Sequence, residues 1–126
     1  MVPTDLRFTK DHEWVRLDGD VATVGITEFA ASQLGDIVFV ELPAVGATLA
    51  QAGTFGVVES VKAVSDLFAP VGGEVREVNE ELSGQPELVN SDPYGAGWMI
   101  RLHVADEAQL GELLEPAAYD ALVAEA

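Results

Sequence analysis

The chain has 126 residues, room for one domain of ordinary size. Its 48% hydrophobic and 22% charged content is that of a globular protein, and 12 Gly with 6 Pro point to frequent turns rather than a helical bundle. The absence of Cys excludes disulfides, thiolate metal sites and a Cys nucleophile, while 22 acidic against 6 basic residues, a formal charge of -16, exclude a nucleic-acid partner, which needs a basic patch.

The same acidity disfavours anionic membrane surfaces and favours steered encounter with proteins that carry basic docking surfaces. No apolar run approaches the roughly 18 residues of a membrane span. The segment from Met1 to Trp14 has no basic head followed by an apolar core, and Asp5, Asp11 and Glu13 are unlike a transit peptide. A cytoplasmic location is the expectation.

Trp14 to Leu17 and Val21 to Ile26 alternate around Asp18-Gly19-Asp20, which predicts a hairpin. Thr27 is placed to cap a short helix over residues 28–34, with Gly35 as its stop. Strands are predicted at residues 37–42, within a β-rich run at 55–68, at 74–78 and at 98–104. Gly72-Gly73 reads as turn material, and a long polar loop is expected between the last two strands. Asp106 suits the cap of a helix over residues 107–114, and Pro116 the start of another through Ala124. The pattern is a small, mostly antiparallel β domain with short helices at its ends.

Only two lysines occur, Lys10 and Lys62. Lys10 lies in an ordinary polar segment and reads as a solvated side chain. Lys62 lies at the centre of a nearly mirror-symmetric segment, Val57-Val58-Glu59-Ser60-Val61-Lys62-Ala63-Val64-Ser65-Asp66-Leu67-Phe68. Such symmetry predicts a hairpin with Lys62-Ala63 as its turn, Ser60 opposite Ser65 and Glu59 opposite Asp66. Lys-Ala is a poor primed turn and two opposed carboxylates repel, so two local rules are broken at one spot, as happens at functional sites. On pattern alone, a solvated turn lysine is an equally good reading.

The segment Glu59 to Asp66, followed by Ala69-Pro70-Val71-Gly72-Gly73-Glu74-Val75, resembles the lipoyl-attachment hairpin of the glycine cleavage system H-protein family. His12-Glu13-Trp14, Val24-Gly25-Ile26-Thr27, Val40-Glu41-Leu42-Pro43, Pro86-Glu87-Leu88-Val89-Asn90 and Asp92-Pro93-Tyr94-Gly95 are similar to that family as well, so the resemblance covers nearly the whole chain. It implies a mostly β barrel-sandwich hybrid, lipoyl-domain-like, forming a single carrier domain over residues 1–126, with short flanking helices and a helical C-terminus. It also implies lipoate bound covalently as lipoyl-lysine at Lys62, on an arm reaching on the order of 14 Å. That cofactor would supply the sulfur chemistry a Cys-free chain lacks.

The implied role is a non-catalytic shuttle of the glycine cleavage system. Its implied partners are a pyridoxal-phosphate glycine decarboxylase, a tetrahydrofolate-dependent aminomethyltransferase and a flavoprotein dihydrolipoyl dehydrogenase. A lipoate ligase or a lipoyl/octanoyl transferase would load it, and a monomer is expected. Under this resemblance Glu59 and Asp66 are candidates for recognition by the lipoylating enzyme, and Glu13 for holding the protonated amine of the loaded arm in a surface cleft. Read from the residues alone, Glu13 is as well a solvated acid at a strand edge.

His12 and His103 are far apart and lack ligand-spaced companions, so neither a metal site nor catalytic residues are expected. Trp14, Phe68, Tyr94 and Trp98 read as core or cleft wall. Two rivals remain. A 2-oxoacid dehydrogenase lipoyl domain or biotin carrier usually shows Asp-Lys-Ala or Met-Lys-Met where this chain has Val61-Lys62-Ala63, and a scaffold that has lost the chemistry would have no reason to keep Lys62 between Glu59 and Asp66.

Overall fold

The computed structural model describes residues 2–125, which form two antiparallel sheets and short helices. The chain opens with β1 (Arg7–Phe8), β2 (Glu13–Asp18) and β3 (Val21–Ile26). α1 (Glu28–Leu34) follows, then β4 (Ile37–Glu41), β5 (Thr48–Leu49), β6 (Thr54–Ser60), β7 (Val64–Phe68) and β8 (Gly73–Val78). Two single-turn helices, α2 (Glu81–Gly84) and α3 (Leu88–Ser91), precede β9 (Ile100–Val104). A 3-10 turn over Glu107–Glu112 and α4 (Pro116–Ala124) come last. One sheet has the order β1-β2-β3-β9-β8-β5 and the other β4-β6-β7.

Local chemistry accounts for the first half. Asp18 pairs with Val21, leaving Gly19-Asp20 as a two-residue turn in which Gly19 takes the left-handed φ of 64° that lacks a steric penalty only for glycine. Thr27 caps α1 by accepting from the Ala30 amide, and Gly35, at φ 83°, ends it with its own amide on the Ala31 carbonyl.

One core cluster joins residues of both sheets, among them Val24, Val58, Leu67, Ile100 and Leu102, each all but inaccessible. Each such side chain stabilises the fold by roughly 1.5–3 kcal/mol. A second cluster of Leu6, Phe8, Trp14 and Tyr119 ties α4 to the start of the chain. Trp14 is core rather than cleft wall. Its indole N–H donates to the Pro93 carbonyl at 3.0 Å, and a Cβ at Gly25 would come within 2.7 Å of the ring, so only glycine allows the approach.

Several expectations need correction. The supposed polar loop contains α2 and α3, whose turns bury only Leu82 and Val89, too short a pattern to show a helical period. Ser83 and Gly84 lie within α2 rather than in a loop. Gly73 begins β8, where a Cβ would strike the His103 carbonyl oxygen of β9, so the glycine serves strand contact and not a turn. The helix expected over residues 107–114 is a 3-10 turn that stops at Glu112, because Leu114 exchanges backbone hydrogen bonds of 2.9 and 2.7 Å with Phe8. Among the described residues, no helix is long and apolar enough to cross a membrane.

Candidate functional site

Lys62 is exposed at the tip of the β6–β7 hairpin. The observed register pairs Glu59 with Val64, Val58 with Ser65 and Val57 with Asp66. This corrects the expected pairing of Glu59 with Asp66. The turn is centred on Val61-Lys62 instead of Lys62-Ala63, and Ser60 decides it. The Ser60 amide donates to the Ala63 carbonyl at 2.8 Å, while its Oγ accepts from the amides of Lys62 at 3.3 Å and Ala63 at 3.0 Å. A side-chain oxygen thus caps the tip, and neither Val61 nor Lys62 adopts a left-handed φ, so a turn without Asn or Gly is satisfied.

The shift moves every pairing by two positions, which preserves the faces. Glu59 and Asp66 share the outer face as diagonal neighbours rather than opposed residues, which relieves the repulsion expected of a direct pair. Val58 and Leu67 remain in the core.

The tip is held from outside the hairpin as well. The Val61 amide donates to the Asp36 carbonyl at 3.0 Å, and Asn90 bridges the residues on either side of Asp36, donating to the Gly35 carbonyl and accepting from the Ile37 amide, both at 2.9 Å. The stem of Lys62 lies over Gly35, where a Cβ would come within 3.5 Å of its Cε. None of the ion pairs among the described residues includes Lys62. The lysine therefore stands on a fixed base with an uncommitted ammonium group.

Glu13 lies elsewhere, in a cleft of about 540 Å³ lined by Thr9, Lys10, Glu13, Ala52, Phe68 and Leu114, among others. It is 2% exposed, which rules out the solvated-acid reading. Burial pushes its carboxyl up to about 7. Hydrogen bonds from the Thr9 hydroxyl and the Phe68 amide oppose the rise, and the nearby Asp11 charge adds to it. Thr9 Oγ donates to Glu13 Oε1 at 2.6 Å and accepts the Glu13 amide at 3.1 Å, so one residue sets both ends of the acid.

Thr9 was not singled out in the sequence, and Lys10, exposed as that reading had it, also lines the cleft. Only the four-residue spacing from Thr9 to Glu13 hinted at the first contact. Phe68 is cleft wall, as one of the two readings had it. The structure does not bring Lys62 and Glu13 into contact: Phe68, at the base of β7, follows Lys62 by six positions, about 20 Å of extended chain. No group of three or more His, Asp or Glu residues suited to a metal occurs among the described residues.

The profile of the family described as Glycine cleavage H-protein matches residues 6–126. A glycine cleavage system H protein from Phenylobacterium zucineum is 62% identical over 119 residues, covering 94% of this chain and 98% of the relative. One from Carboxydothermus hydrogenoformans is 55% identical over 125 residues, covering 99% of this chain and 96% of the relative. The crystal structure of a glycine cleavage system H protein from Mycobacterium marinum superposes with a TM-score of 0.88 at 42% identity, covering 95% of this chain and 97% of that one. With sequence and fold agreeing over almost its entire length, the chain belongs to the glycine cleavage H-protein family.

Proposed function

We propose that this chain is the lipoyl-bearing shuttle of a glycine cleavage system, modified at Lys62 and performing no catalysis of its own. The observation that carries the assignment is an exposed lysine at a hairpin tip pinned from both sides, its ammonium in no ion pair, in a chain with only two lysines. Those features fit an acylation target: the amine is reachable and its backbone is held still. Joined to Lys62 Nζ through an amide, lipoate would supply the sulfur chemistry through which the chain serves a pyridoxal-phosphate glycine decarboxylase, a tetrahydrofolate-dependent aminomethyltransferase and dihydrolipoyl dehydrogenase in turn.

The chain's own residues have four tasks. Lys62 provides the attachment nitrogen. Glu59 and Asp66, together on the outer face of the hairpin, give the lipoate ligase or lipoyl/octanoyl transferase an acidic feature to recognise. Glu13 receives the protonated amine of the loaded arm, and that positive charge favours the ionised carboxylate and so opposes its burial. Phe68 and Leu114 wall the cleft and limit water. The arm's reach of about 14 Å is of the same order as the run from Lys62 to Phe68. The protein is proposed to act in the cytoplasm as a monomer.

The test is an intact mass with peptide mapping after co-expression with a lipoate ligase and supplied lipoate. One lipoyl increment on Lys62, absent in Lys62→Ala, is the expected result. The Glu59→Gln, Asp66→Asn double variant should keep its fold and be modified several-fold more slowly. An unmodified wild-type chain, beside a known carrier modified in the same tube, would overturn the assignment.

A further inference from the structure

Tyr119 is the one fully buried tyrosine among the described residues, and packing explains only its ring. The ring stacks on Phe8 at 4.6 Å between centroids, inside the second core cluster. The hydroxyl lies 2.7 Å from His12 Nδ1 on one side and 2.7 Å from Thr27 Oγ1 on the other. Three polar groups from the loop before β2, the cap of α1 and the middle of α4 therefore meet in one line.

Counting protons gives that line a direction. Thr27 is fully buried, and its oxygen already accepts from the Ala30 amide. The sole partner for the Thr27 hydroxyl hydrogen among the described contacts is the Tyr119 oxygen. If Thr27 donates to Tyr119, Tyr119 donates to His12 Nδ1, both hydroxyl hydrogens are used, and the imidazole proton sits on Nε2. The opposite direction strands the Thr27 hydrogen in the interior, the more costly arrangement.

His12 in turn sets the position of its neighbour. Its φ of 70° is left-handed, a conformation that a residue other than glycine keeps only when its surroundings impose it. Here the His12 carbonyl accepts from the Thr27 amide at 2.9 Å, its amide donates to the Thr9 carbonyl at 3.2 Å, and its ring packs against Phe29 and Tyr119. The reversal at His12 brings Glu13 back onto Thr9, which holds it through both its amide and its carboxyl.

We propose that Tyr119 is a positioning residue for the cleft acid: the relay from Thr27 through Tyr119 to His12 locks His12 as its neutral Nε2–H tautomer and thereby fixes the Thr9–Glu13 loop. The proposal rests on the reading of Glu13 as the residue that receives the amine. Burial agrees with a single protonation state near neutrality, since it holds the His12 imidazole below its ordinary value against the opposing Asp11 charge, and pushes Tyr119 up to about 12. Tyr94, Asp120 and Glu13 are the other ionisable groups that act on Tyr119. Helix α4, distant in sequence from Glu13, would thus set the geometry of the cleft acid.

The test uses the unlipoylated full-length protein. Nitrogen-15 NMR of the His12 side chain should show Nδ1 bare and Nε2 protonated. Tyr119→Phe keeps the stacked ring and deletes the hydroxyl. It should give a mixture of tautomers and move the Glu13 titration midpoint from about 7 toward its ordinary 4.5. Thr27→Ser, made in the otherwise wild-type chain, keeps the donating hydroxyl and should leave both readouts as in the wild type, and a tyrosine that merely packs would change thermal stability without moving either. If Tyr119→Phe does not fold, Thr27→Val serves instead and should put part of the proton on Nδ1. A wild-type His12 protonated on Nδ1, or an unmoved Glu13 midpoint in the folded variant, would overturn the relay. The Glu13 reading is tested separately by hydrolysis of the loaded arm in Glu13→Gln. An unchanged rate there, beside a shifted midpoint in Tyr119→Phe, removes that reading and leaves the relay standing.

Discussion

Glu13 is a carboxyl that the native state holds protonated longer than the unfolded chain does. Its midpoint of about 7 lies above the ordinary 4.5. As pH rises between those values the unfolded chain releases this proton first, so native stability falls with pH across that window. The loss from this group is on the order of 3 kcal/mol, since each unit is worth about 1.4 kcal/mol. Glu13→Gln keeps a hydrogen-bonding side chain and does not titrate. Its stability relative to wild type should therefore rise by about that amount between about pH 4 and about pH 8. Denaturant unfolding at the two pH values measures it, and parallel curves would mean the carboxyl is already ionised in the native state. None of this was legible in the sequence, because an acid beside a tryptophan carries no sign of its burial. The cleft that Glu13 lines is shared with Phe8, Phe68 and Leu114, residues brought in by three other segments.

At the scale of elements, the β6–β7 hairpin shows how far pattern reaches. Mirror symmetry located the hairpin, put Lys62 in its turn and sorted Glu59 and Asp66 onto one face. It missed the register by two positions because Ser60 closes the turn with its side chain. Ser60→Ala removes the acceptor for two amides at an exposed tip, a change of about 1 kcal/mol in local order. The expected consequence is a several-fold slower lipoylation of Lys62 with little change in melting temperature; an unaltered rate would show that the cap does not matter to the enzyme. Helix α1 was legible residue for residue, since Thr27 and Gly35 carry both of its ends. The strands β1 and β5 were not, because two residues cannot show alternation.

For the molecule as a whole, a charge of -16 on 126 residues is a long-range property to which no single contact is essential. Encounter with enzymes bearing basic surfaces should be steered, and steering is screened by salt. The association rate of the lipoylated protein with a glycine decarboxylase, the partner proposed above, measured by stopped flow, should fall roughly tenfold between low salt and about 0.5 M. A flat dependence would mean that docking relies on local apolar contacts such as Val61 and Val64, which are exposed beside Lys62.

Composition, alternation, caps and the symmetric lysine segment by themselves determined the β-rich class, the hairpin and helix α1, because each depends on neighbours a few residues apart. Tertiary structure alone decided the rest: the burial of Glu13, the joining of Thr27, Tyr119 and His12, and the Asn90 bridge under the attachment turn. Those features bring together side chains up to 107 positions apart. A hydrogen bond or a desolvated carboxyl depends on distance in space, which the local pattern of a chain does not encode.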